Sequence, residues 1–322
     1  EPTGDVIEVD EGQTILDASL RQGVWLPFAC GHGTCGTCKV QVLEGEVELG
    51  NASPFALMDI EREEGKVLAC CALPQSDMVI EADIDVDPDF IGYAVRDFKG
   101  TVVLIEDLSP TIKGVHFELD TPIEFQAGQY INLSFPGIEG ARAFSLANKP
   151  SDNRVIELHV RRVPGGEGTG YIHDKLQVGD VLDISGPYGQ FFVRKSSPED
   201  LIFIAGGSGL SSPQSMILDL LELGDERRIT LLQGARNLAE LYNHELFEQG
   251  FTGYVHDAAI KHFDGLFSDH KAYLCGPPPM IDAAITALMQ GRLFERDIYM
   301  ERFLTAADGA TGVQKSALFR KI

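Results

Sequence analysis

Four cysteines constrain this chain more than any other feature of its sequence. Cys30, Cys35 and Cys38 have the spacing C-x4-C-x2-C, and Cys70 follows after 31 intervening residues. This spacing is typical of proteins that bind a [2Fe–2S] cluster through four thiolates. A structural zinc ion is the main alternative, but zinc sites usually contain paired C-x2-C segments, and this region has one. We therefore predict that these four cysteines bind a [2Fe–2S] cluster.

The spacing alone leaves the fourth ligand open, because Cys71 lies next to Cys70. His32 is a further candidate, since Rieske centres bind iron through histidine, but those centres replace two cysteines by two histidines. We therefore interpret His32 as a loop residue. Three glycines lie between the first three cysteines and allow backbone N–H groups to turn toward the sulfur atoms.

Charge limits the classes of partner. The chain has 49 acidic and 26 basic residues, and its net charge is −23. We expect no nucleic-acid partner, because the sequence has no basic patch. We also expect a cytoplasmic protein without membrane association or disulfides, because it has neither an apolar run of membrane-spanning length nor a signal peptide. Residues 1–97 hold 20 acidic and 5 basic residues, which would steer encounters with a partner that carries a basic patch.

Residues 1–92 are predicted to form one compact domain of helices and strands that ends in an acidic linker at Asp83–Asp89. Thr14 is expected to cap a helix that ends at Gly23. The other expected elements are a strand at Val6–Val9, a hairpin over Lys39–Leu49, a helix from Ser53 to Gly65, and strands near Val67–Ala72 and Met78–Ala82.

Residues 93–195 are predicted to form an antiparallel barrel. Glycine- or proline-bearing turns separate short strand-like runs, a pattern typical of such barrels. The runs lie near 101–106, 114–120, 129–135, 142–147, 155–162 and 180–185, and one helix is expected around Tyr171–Leu176.

Residues 196–322 alternate strands, glycine-containing loops and helices, which predicts a parallel sheet with ligands at the carboxyl ends of the strands. The expected strands are Leu201–Ala205, Ile229–Gln233, Ala272–Cys275 and Ile298–Met300, and the expected helices end at Leu223, span 239–247 and span Met280–Met289.

The segment Arg142-Ala143-Phe144-Ser145 resembles the R-x-[Y/F]-[S/T] motif of the ferredoxin–NADP reductase superfamily, in which an FAD-binding barrel precedes a nicotinamide domain. Arg142 and the helix entry at Gly168-Thr169 can supply the cation and the amides that a diphosphate needs. Phe144 can form an aromatic wall for the flavin, and Ser145 is a small hydrogen-bonding neighbour for flavin N5. The resemblance also implies FAD contacts at Tyr130, Ala143, His159, Val160, Arg161 and Phe303.

A second set of residues points to the nicotinamide cofactor. Gly206-Gly207-Ser208-Gly209 lies between a strand and a helix, where its amides can approach a pyrophosphate. The resemblance implies that Cys275-Gly276-Pro277 places a thiol beside the nicotinamide, and that Glu301 lies near Ser145 and Cys275. Arg236 is followed by Asn237, Glu240 and Glu245 rather than by several basic residues, so NADH is favoured over NADPH.

The whole chain resembles the reductase components of multicomponent bacterial phenol hydroxylases. The resemblance is carried by WLPFACGHGTC, ARAFSLAN, GPYGQFFVR, the segment from Ile202 to Glu222, the segment from Ala272 to Ile298, and the tail after Glu301. The run Val67–Ala72 resembles the strand that delivers the last ligand in plant-type ferredoxins, which favours Cys70 over Cys71. This family has a further N-terminal strand and an extra strand and loop near Gly250, so we expect an interruption between Phe247 and Tyr254.

The resemblance implies a multidomain α+β and α/β protein: a β-grasp ferredoxin domain, an antiparallel FAD-binding β-barrel and a Rossmann-like nicotinamide domain. It implies electron transfer from NADH through FAD and the [2Fe–2S] cluster to a diiron phenol hydroxylase, which would dock at the acidic ferredoxin domain. Ser145, Cys275 and Glu301 are then the catalytic candidates. One alternative is a reductase for a Rieske dioxygenase. An alternative of another class is a non-catalytic iron–sulfur sensor or carrier.

Overall fold

The computed structural model describes residues 4–84, 87–243 and 250–303. The chain divides into two compact units, and the division lies between Arg96 and Asp97. Within the described ranges, no helix has the length and apolar character needed to cross a membrane.

The first unit combines two short helices with two small sheets. Its elements are α1 (Ile15–Arg21), β1 (Lys39–Glu44), β2 (Val47–Glu48), α2 (Asp59–Glu63), β3 (Lys66–Leu68), β4 (Leu73–Pro74) and β5 (Val79–Glu81). Strand β1 lies between β3 and β5 and is antiparallel to both. Strands β2 and β4 form a separate antiparallel pair.

Helix α1 begins and ends as the sequence predicts. The Thr14 side chain accepts a hydrogen bond from the backbone N–H of Asp17 at 3.2 Å, which satisfies one of the unpaired amides of the first turn. The helix is followed by Gly23, whose φ of +77° is the left-handed conformation typical of a helix end. Buried Ile15, Leu16 and Leu20 attach the helix to the core of the unit.

Two predictions for the first unit, a strand and a hairpin, are wrong. Val6–Val9 is not a strand, because the Gln22 side chain, rather than another strand, hydrogen-bonds both the N–H and the C=O of Glu8. Lys39–Leu49 is not a hairpin either. The chain does turn at Gly45, but β1 pairs with β3 and β5 while β2 pairs with β4.

Two further boundaries differ from prediction. The second helix begins at Asp59 rather than at Ser53, because Met58 has an extended backbone (ψ 157°) that separates α2 from the turn before it. The run Val67–Ala72 is also interrupted. Strand β3 ends at Leu68, whose carbonyl oxygen accepts hydrogen bonds from the N–H groups of Cys71 and Ala72. Cys70 therefore lies in a turn that follows a strand.

The first part of the second unit is an antiparallel barrel, as predicted, and all six expected runs form strands. They are β6 (Arg96–Ser109), β7 (Ile112–Leu119), β8 (Tyr130–Ser134), β9 (Arg142–Ser145), β10 (Val155–Arg161) and β11 (Val181–Tyr188), with α3 at Glu167–Asp174. Their order is β10-β7-β6-β11-β8-β9. A bridge between Leu146 and Leu158 joins the two ends of this order and closes the sheet. Phe117, Ile131 and Leu158 are among the fully buried residues inside it.

The second part of this unit is a parallel sheet flanked by helices. Its elements are β12 (Asp200–Gly206), α4 (Ser211–Glu222), β13 (Ile229–Gly234), α5 (Val255–His262), β14 (His270–Gly276), α6 (Pro278–Gln290) and β15 (Ile298–Arg302). The strand order is β13-β12-β14-β15, and every pair is parallel. Ala205, Cys275 and Glu301 are in register on adjacent strands, so the predicted motifs meet at one edge of the sheet.

The helix expected over 239–247 is wrong in its described part, which contains only a 3-10 turn at Leu238–Glu240. The Asn237 side chain caps this turn, and the Glu240 carboxylate accepts hydrogen bonds from Ser109 and Thr111 of the barrel. Glu240 is thereby held against the barrel instead of lying on a regular helix. The remainder of that helix and the first part of the expected interruption, residues 248–249, lie outside the described residues, as does the tail after Phe303, whereas residues 250–253 are described and lead into α5.

Candidate functional site

The four predicted cluster ligands lie together in the first unit. The Cys38 and Cys70 sulfurs lie 3.2 Å apart, and the Cys30 sulfur contacts those of Cys35 and Cys70. The sulfurs thus form two pairs joined by one contact. A [2Fe–2S] cluster takes two thiolates on each iron, so this arrangement fits the cluster better than four ligands around one zinc ion. Among the described residues, no three His, Cys, Asp or Glu side chains surround a single-ion position.

The structure separates Cys71 from the ligand set. The Cys71 sulfur lies 3.7 Å from that of Cys70, but it is directed against the backbone of Gly33. A Cβ atom at Gly33 would lie 2.5 Å from this sulfur, and Gly33 has a φ of +79°, so only glycine fits there. Cys71 is therefore a packing residue beneath the loop. His32 is exposed, and its backbone N–H hydrogen-bonds the Cys30 sulfur.

Hydrogen bonds favour the ligand form of some of these thiols. Contact with Cys35 lowers the pKa of Cys30, and contact with Cys70 lowers the pKa of Cys38 to about 7, while the same contacts raise the pKa of Cys35 and of Cys70. The backbone N–H groups of Cys30 and Thr37 donate to the Cys35 sulfur, each at 3.5 Å. Because thiolates are the iron ligands, these donors belong to the chemistry of the site.

In the second unit, the three predicted catalytic residues converge on one carboxylate. An oxygen of Glu301, near the end of β15, accepts a hydrogen bond from the Ser145 hydroxyl at 3.1 Å. The same oxygen accepts from the Cys275 thiol at 3.5 Å. Ser145 ends β9 of the barrel, whereas Cys275 lies near the end of β14. The structure therefore brings together residues from both parts of the unit.

Ser212 belongs to this cluster and was missed from the sequence. Its hydroxyl donates to the same Glu301 oxygen at 2.8 Å, the shortest of the three contacts, and the residue is fully buried. It lies in the first turn of α4, directly after the glycine loop. One sequence feature could have pointed to it: Ser212 is one of several serines at the start of a helix whose later positions are mostly apolar.

Loss of hydration dominates the electrostatics of this cluster. Burial raises the pKa of Glu301, although the hydrogen bonds from Ser212, Ser145 and Cys275 oppose this shift. Burial and the neighbouring carboxylate raise the pKa of Cys275 well above its usual value. No cation pairs with Glu301 within the described part of the chain. Cys275 is consequently a neutral thiol at physiological pH.

The predicted diphosphate residues also lie together. The Arg142 guanidinium donates to the carbonyl oxygens of residues 139–141 at 2.9–3.2 Å, which fixes its position. A Cβ atom at Gly168, in the first turn of α3, would lie 2.9 Å from the Arg142 side chain. The helix start and the cation are therefore adjacent, and the absence of a side chain at Gly168 keeps the amides accessible. The Thr169 hydroxyl instead accepts the backbone N–H of Val163 within the preceding loop.

Aromatic side chains lie on the neighbouring strands. Phe144 is half-buried and packs edge-to-face against Phe135, with ring centroids 6.4 Å apart. Tyr130 is in register with Ser145 and stacks on Tyr188 at 5.6 Å. Ala143, between Arg142 and Phe144, is exposed. These positions provide the apolar surface that a flavin ring needs.

Of the three residues 159–161, two have side chains that are already bonded or buried, and one has a side chain that is free to contact a ligand. Both ring nitrogens of buried His159 are engaged, one with the Tyr242 hydroxyl at 3.0 Å and the other with Glu157 at 2.8 Å. Val160 is buried in the barrel core. The Arg161 guanidinium lies next to Gly207 and has no hydrogen-bond partner among the described residues. Of the three side chains, Arg161 is the one that can reach a ligand.

The glycines of residues 206–209 are required for close packing, in addition to any contact with a ligand. A Cβ atom would meet the Cys275 carbonyl oxygen at 2.5 Å if placed on Gly209, and the Met280 sulfur at 2.6 Å if placed on Gly206. These glycines thus let the ends of β12 and β14 approach each other. Ser208 is buried, and its carbonyl oxygen accepts the Ser211 hydroxyl.

The second nicotinamide motif is organised by its neighbours. Pro277 precedes the first turn of α6, and the backbone N–H of Phe303 donates to the Gly276 carbonyl oxygen at 3.0 Å. Arg236, by contrast, is exposed after β13. At the end of β13, the side-chain amide of Gln233 is buried without a hydrogen-bond partner in the described chain. This unpaired amide, which sequence reasoning missed, lies at the ligand-binding edge of a parallel sheet.

Comparison with known proteins identifies two domain families in the chain. Residues 1–75 match the family of 2Fe-2S iron-sulfur cluster binding domains, and residues 99–193 match the oxidoreductase FAD-binding domain. The reductase component DmpP of phenol 2-monooxygenase from Pseudomonas sp. strain CF600 is 69% identical over 100% of this chain and 98% of its own length. The chain belongs to the family of phenol monooxygenase reductase components. It is accordingly an oxidoreductase with cluster-binding and FAD-binding domains.

Other members of the comparison extend this result. The phenol hydroxylase P5 protein of Acinetobacter pittii strain PHEA-2 is 66% identical over 100% of the chain and 98% of its own length. The crystal structure of the Amycolatopsis cytochrome P450 reductase GcoB has a TM-score of 0.85 and 34% identity, with 93% of this chain and 97% of that chain covered. The alignment with the Pseudomonas relative runs over 346 residues against 322 here, so at least 24 of its positions have no counterpart in this chain.

The two adjacent cysteines give a matched test of the ligand set. We expect Cys70→Ser to lose most of its iron and its cluster absorbance, because one of the paired thiols is removed. Cys71→Ser should retain both, because its sulfur packs against Gly33. Iron and sulfide content and the visible spectrum measure the difference. Equal loss in both variants, or loss in Cys71→Ser alone, would contradict the assignment.

The buried carboxylate predicts a pH-dependent stability difference. A raised pKa means that folded Glu301 binds its proton more tightly than the unfolded chain does, so stability falls as pH rises through the folded pKa. Each unit of raised pKa corresponds to about 1.4 kcal/mol. We expect Glu301→Gln to increase the thermal stability of the second unit at pH 8, with a smaller gain at pH 5. Exposed Glu295→Gln is the control, and a gain independent of pH would refute the prediction.

Proposed function

We propose that this protein transfers electrons from NADH through FAD and the [2Fe–2S] cluster to a diiron phenol hydroxylase. The convergence of Ser145 and Cys275 on Glu301 carries this proposal, because it joins the flavin-side motif to the nicotinamide-side motif. When bound, FAD accepts a hydride as an electron pair and releases electrons singly, and the cluster carries one electron at a time.

The residues of the barrel are proposed to bind and orient the flavin. Arg142 and the first turn of α3, with Gly168 and Thr169, hold the diphosphate. Phe144 and Tyr130 border the ring, and Phe303 covers the face that the nicotinamide must reach. Further contacts are proposed for Ala143, Arg161 and the backbone at His159 and Val160, since the His159 ring is committed to other partners.

The edge of the parallel sheet is proposed to bind the nicotinamide cofactor. Gly206, Gly207, Ser208, Gly209, Gly276 and Pro277 supply close backbone approach. The Cys275 thiol positions the reacting ring, while Glu301 orients Cys275 and Ser145 through one shared oxygen. Ser212 holds that oxygen in place.

NADH is preferred over NADPH in this proposal. A 2′-phosphate needs several basic groups after the second strand of the sheet, and Arg236 is the one basic side chain in that described stretch. Asn237 caps the following turn, and Glu240 is bound to Ser109 and Thr111. The negative charge of Glu240 would repel a phosphate.

The domain boundaries proposed are 1–92, 93–195 and 196–322, and the proposed location is the cytoplasm. The partner is proposed to dock at the acidic ferredoxin domain. Charge supports this placement, since 20 acidic against 5 basic residues in 1–97 would attract a partner with a basic patch.

Cys275 provides the kinetic test. We expect Cys275→Ala to slow reduction of the flavin by NADH by about tenfold or more, because the ring is held less closely to its acceptor. Cys275→Ser keeps a hydrogen-bond donor to Glu301, so its rate of flavin reduction should lie between those of Cys275→Ala and the unchanged protein. Anaerobic stopped-flow absorbance measures the rate. FAD and iron content are the controls, and unchanged reduction rates at full FAD loading would rule out this role.

A further inference from the structure

The first unit exposes three apolar side chains within six residues of each other. Phe55 is 97% exposed, Met58 54% and Ile60 62%. Isolated exposed apolar residues are ordinary, whereas several close together in the chain, one of them an aromatic residue, make this segment a candidate interaction surface. These three residues are named here the Phe55 surface.

The Phe55 surface adjoins the cluster-binding loop. The backbone N–H of Ser53 donates to the carbonyl oxygen of Gly33 at 3.0 Å. A Cβ atom at Gly36 would lie 3.0 Å from the carbonyl oxygen of Ala56. Both glycines lie between cluster ligands, so the turn that carries Phe55 is packed directly on the loop that holds the iron.

The turn is held rigidly from beneath. Ala56 and Leu57 are buried, whereas Pro54 and Phe55 of the same turn are exposed. The Arg62 guanidinium donates to the carbonyl oxygens of Ala52 at 3.0 Å and Leu57 at 3.2 Å. The backbone that carries Phe55 is therefore ordered before any partner binds, which lowers the entropy cost of binding.

The charge around the Phe55 surface is acidic. Arg62 is directed inward to those carbonyl groups, and Lys39 and Lys66 are paired with Glu61 and Glu64. Exposed Asp59 and Glu63 make no ion pair within the described residues. The surface thus has an apolar centre and a negative border, which is the organisation of a protein–protein interface.

We propose that the oxygenase component docks on the Phe55 surface, through an apolar pocket for the Phe55 ring bordered by lysine or arginine side chains. This inference rests on the proposed function and specifies where the partner binds. Docking there brings the partner against the loop that holds the cluster.

The test uses the full-length holoprotein and the purified oxygenase component of phenol 2-monooxygenase. Phe55→Ala is compared with Phe294→Ala, which removes a 65% exposed phenylalanine from the second unit. We expect Phe55→Ala to raise the reductase concentration for half-maximal phenol hydroxylation by about tenfold, the size typical of a truncated interface anchor. Phe294→Ala should leave it unchanged. The double variant Asp59→Asn, Glu63→Gln should reduce the dependence of this concentration on salt.

The reduction rates and the control variant separate the possible outcomes. Rates of flavin and cluster reduction by NADH should be the same in Phe55→Ala as in the unchanged protein. Slower cluster reduction at an unchanged half-maximal concentration would overturn the proposal, since the surface would then serve the protein's own electron transfer. Equal effects of Phe55→Ala and Phe294→Ala would also overturn it. If the unchanged protein is not reduced by NADH at all, the proposed function fails instead.

Discussion

One carboxylate oxygen organises the second unit. Glu301 lies at the end of the last strand of the parallel sheet, yet it accepts hydrogen bonds from the barrel through Ser145 and from the sheet through Ser212 and Cys275. Burial, with no paired cation among the described residues, makes this an unfavourable place for a charge, and three donors on one oxygen offset part of that cost. Buried groups with a shifted pKa are common at functional sites.

The first unit meets a different constraint, which is to bring four sulfurs together on a short chain. Three of them come from one loop, and the fourth comes from the turn after β3, where the chain leaves the sheet. The packing of Cys71 against Gly33 fixes the loop from below. Because the cysteine side chain is short, backbone turns position the four sulfurs. Cys30 and Cys35 are partly exposed, so the loop lies near the surface of the unit.

Much of this was predictable. The barrel strands and the parallel strands follow from turn punctuation and alternation, and Thr14 with Gly23 marks α1 through local capping chemistry. The pairing of β1 was not predictable, because the turn at Gly45 is compatible with a hairpin and long-range pairing decides otherwise. Likewise, Glu240 leaves its expected helix because the barrel hydroxyls of Ser109 and Thr111 bind it. Ser212 lies in a segment that carries the family resemblance, but the resemblance gave it no role, and Gln233 belongs to no quoted motif. Tertiary structure shows what both side chains face.

The account depends on electrons reaching the cluster from the nicotinamide through the flavin. Anaerobic titration of the purified protein with NADH, followed by visible absorbance and electron paramagnetic resonance, tests this most directly. We predict loss of the oxidised flavin bands together with the appearance of the signal of a reduced [2Fe–2S] centre. Bleaching of the flavin while the iron centre stays oxidised, or a protein without either chromophore, would contradict the account.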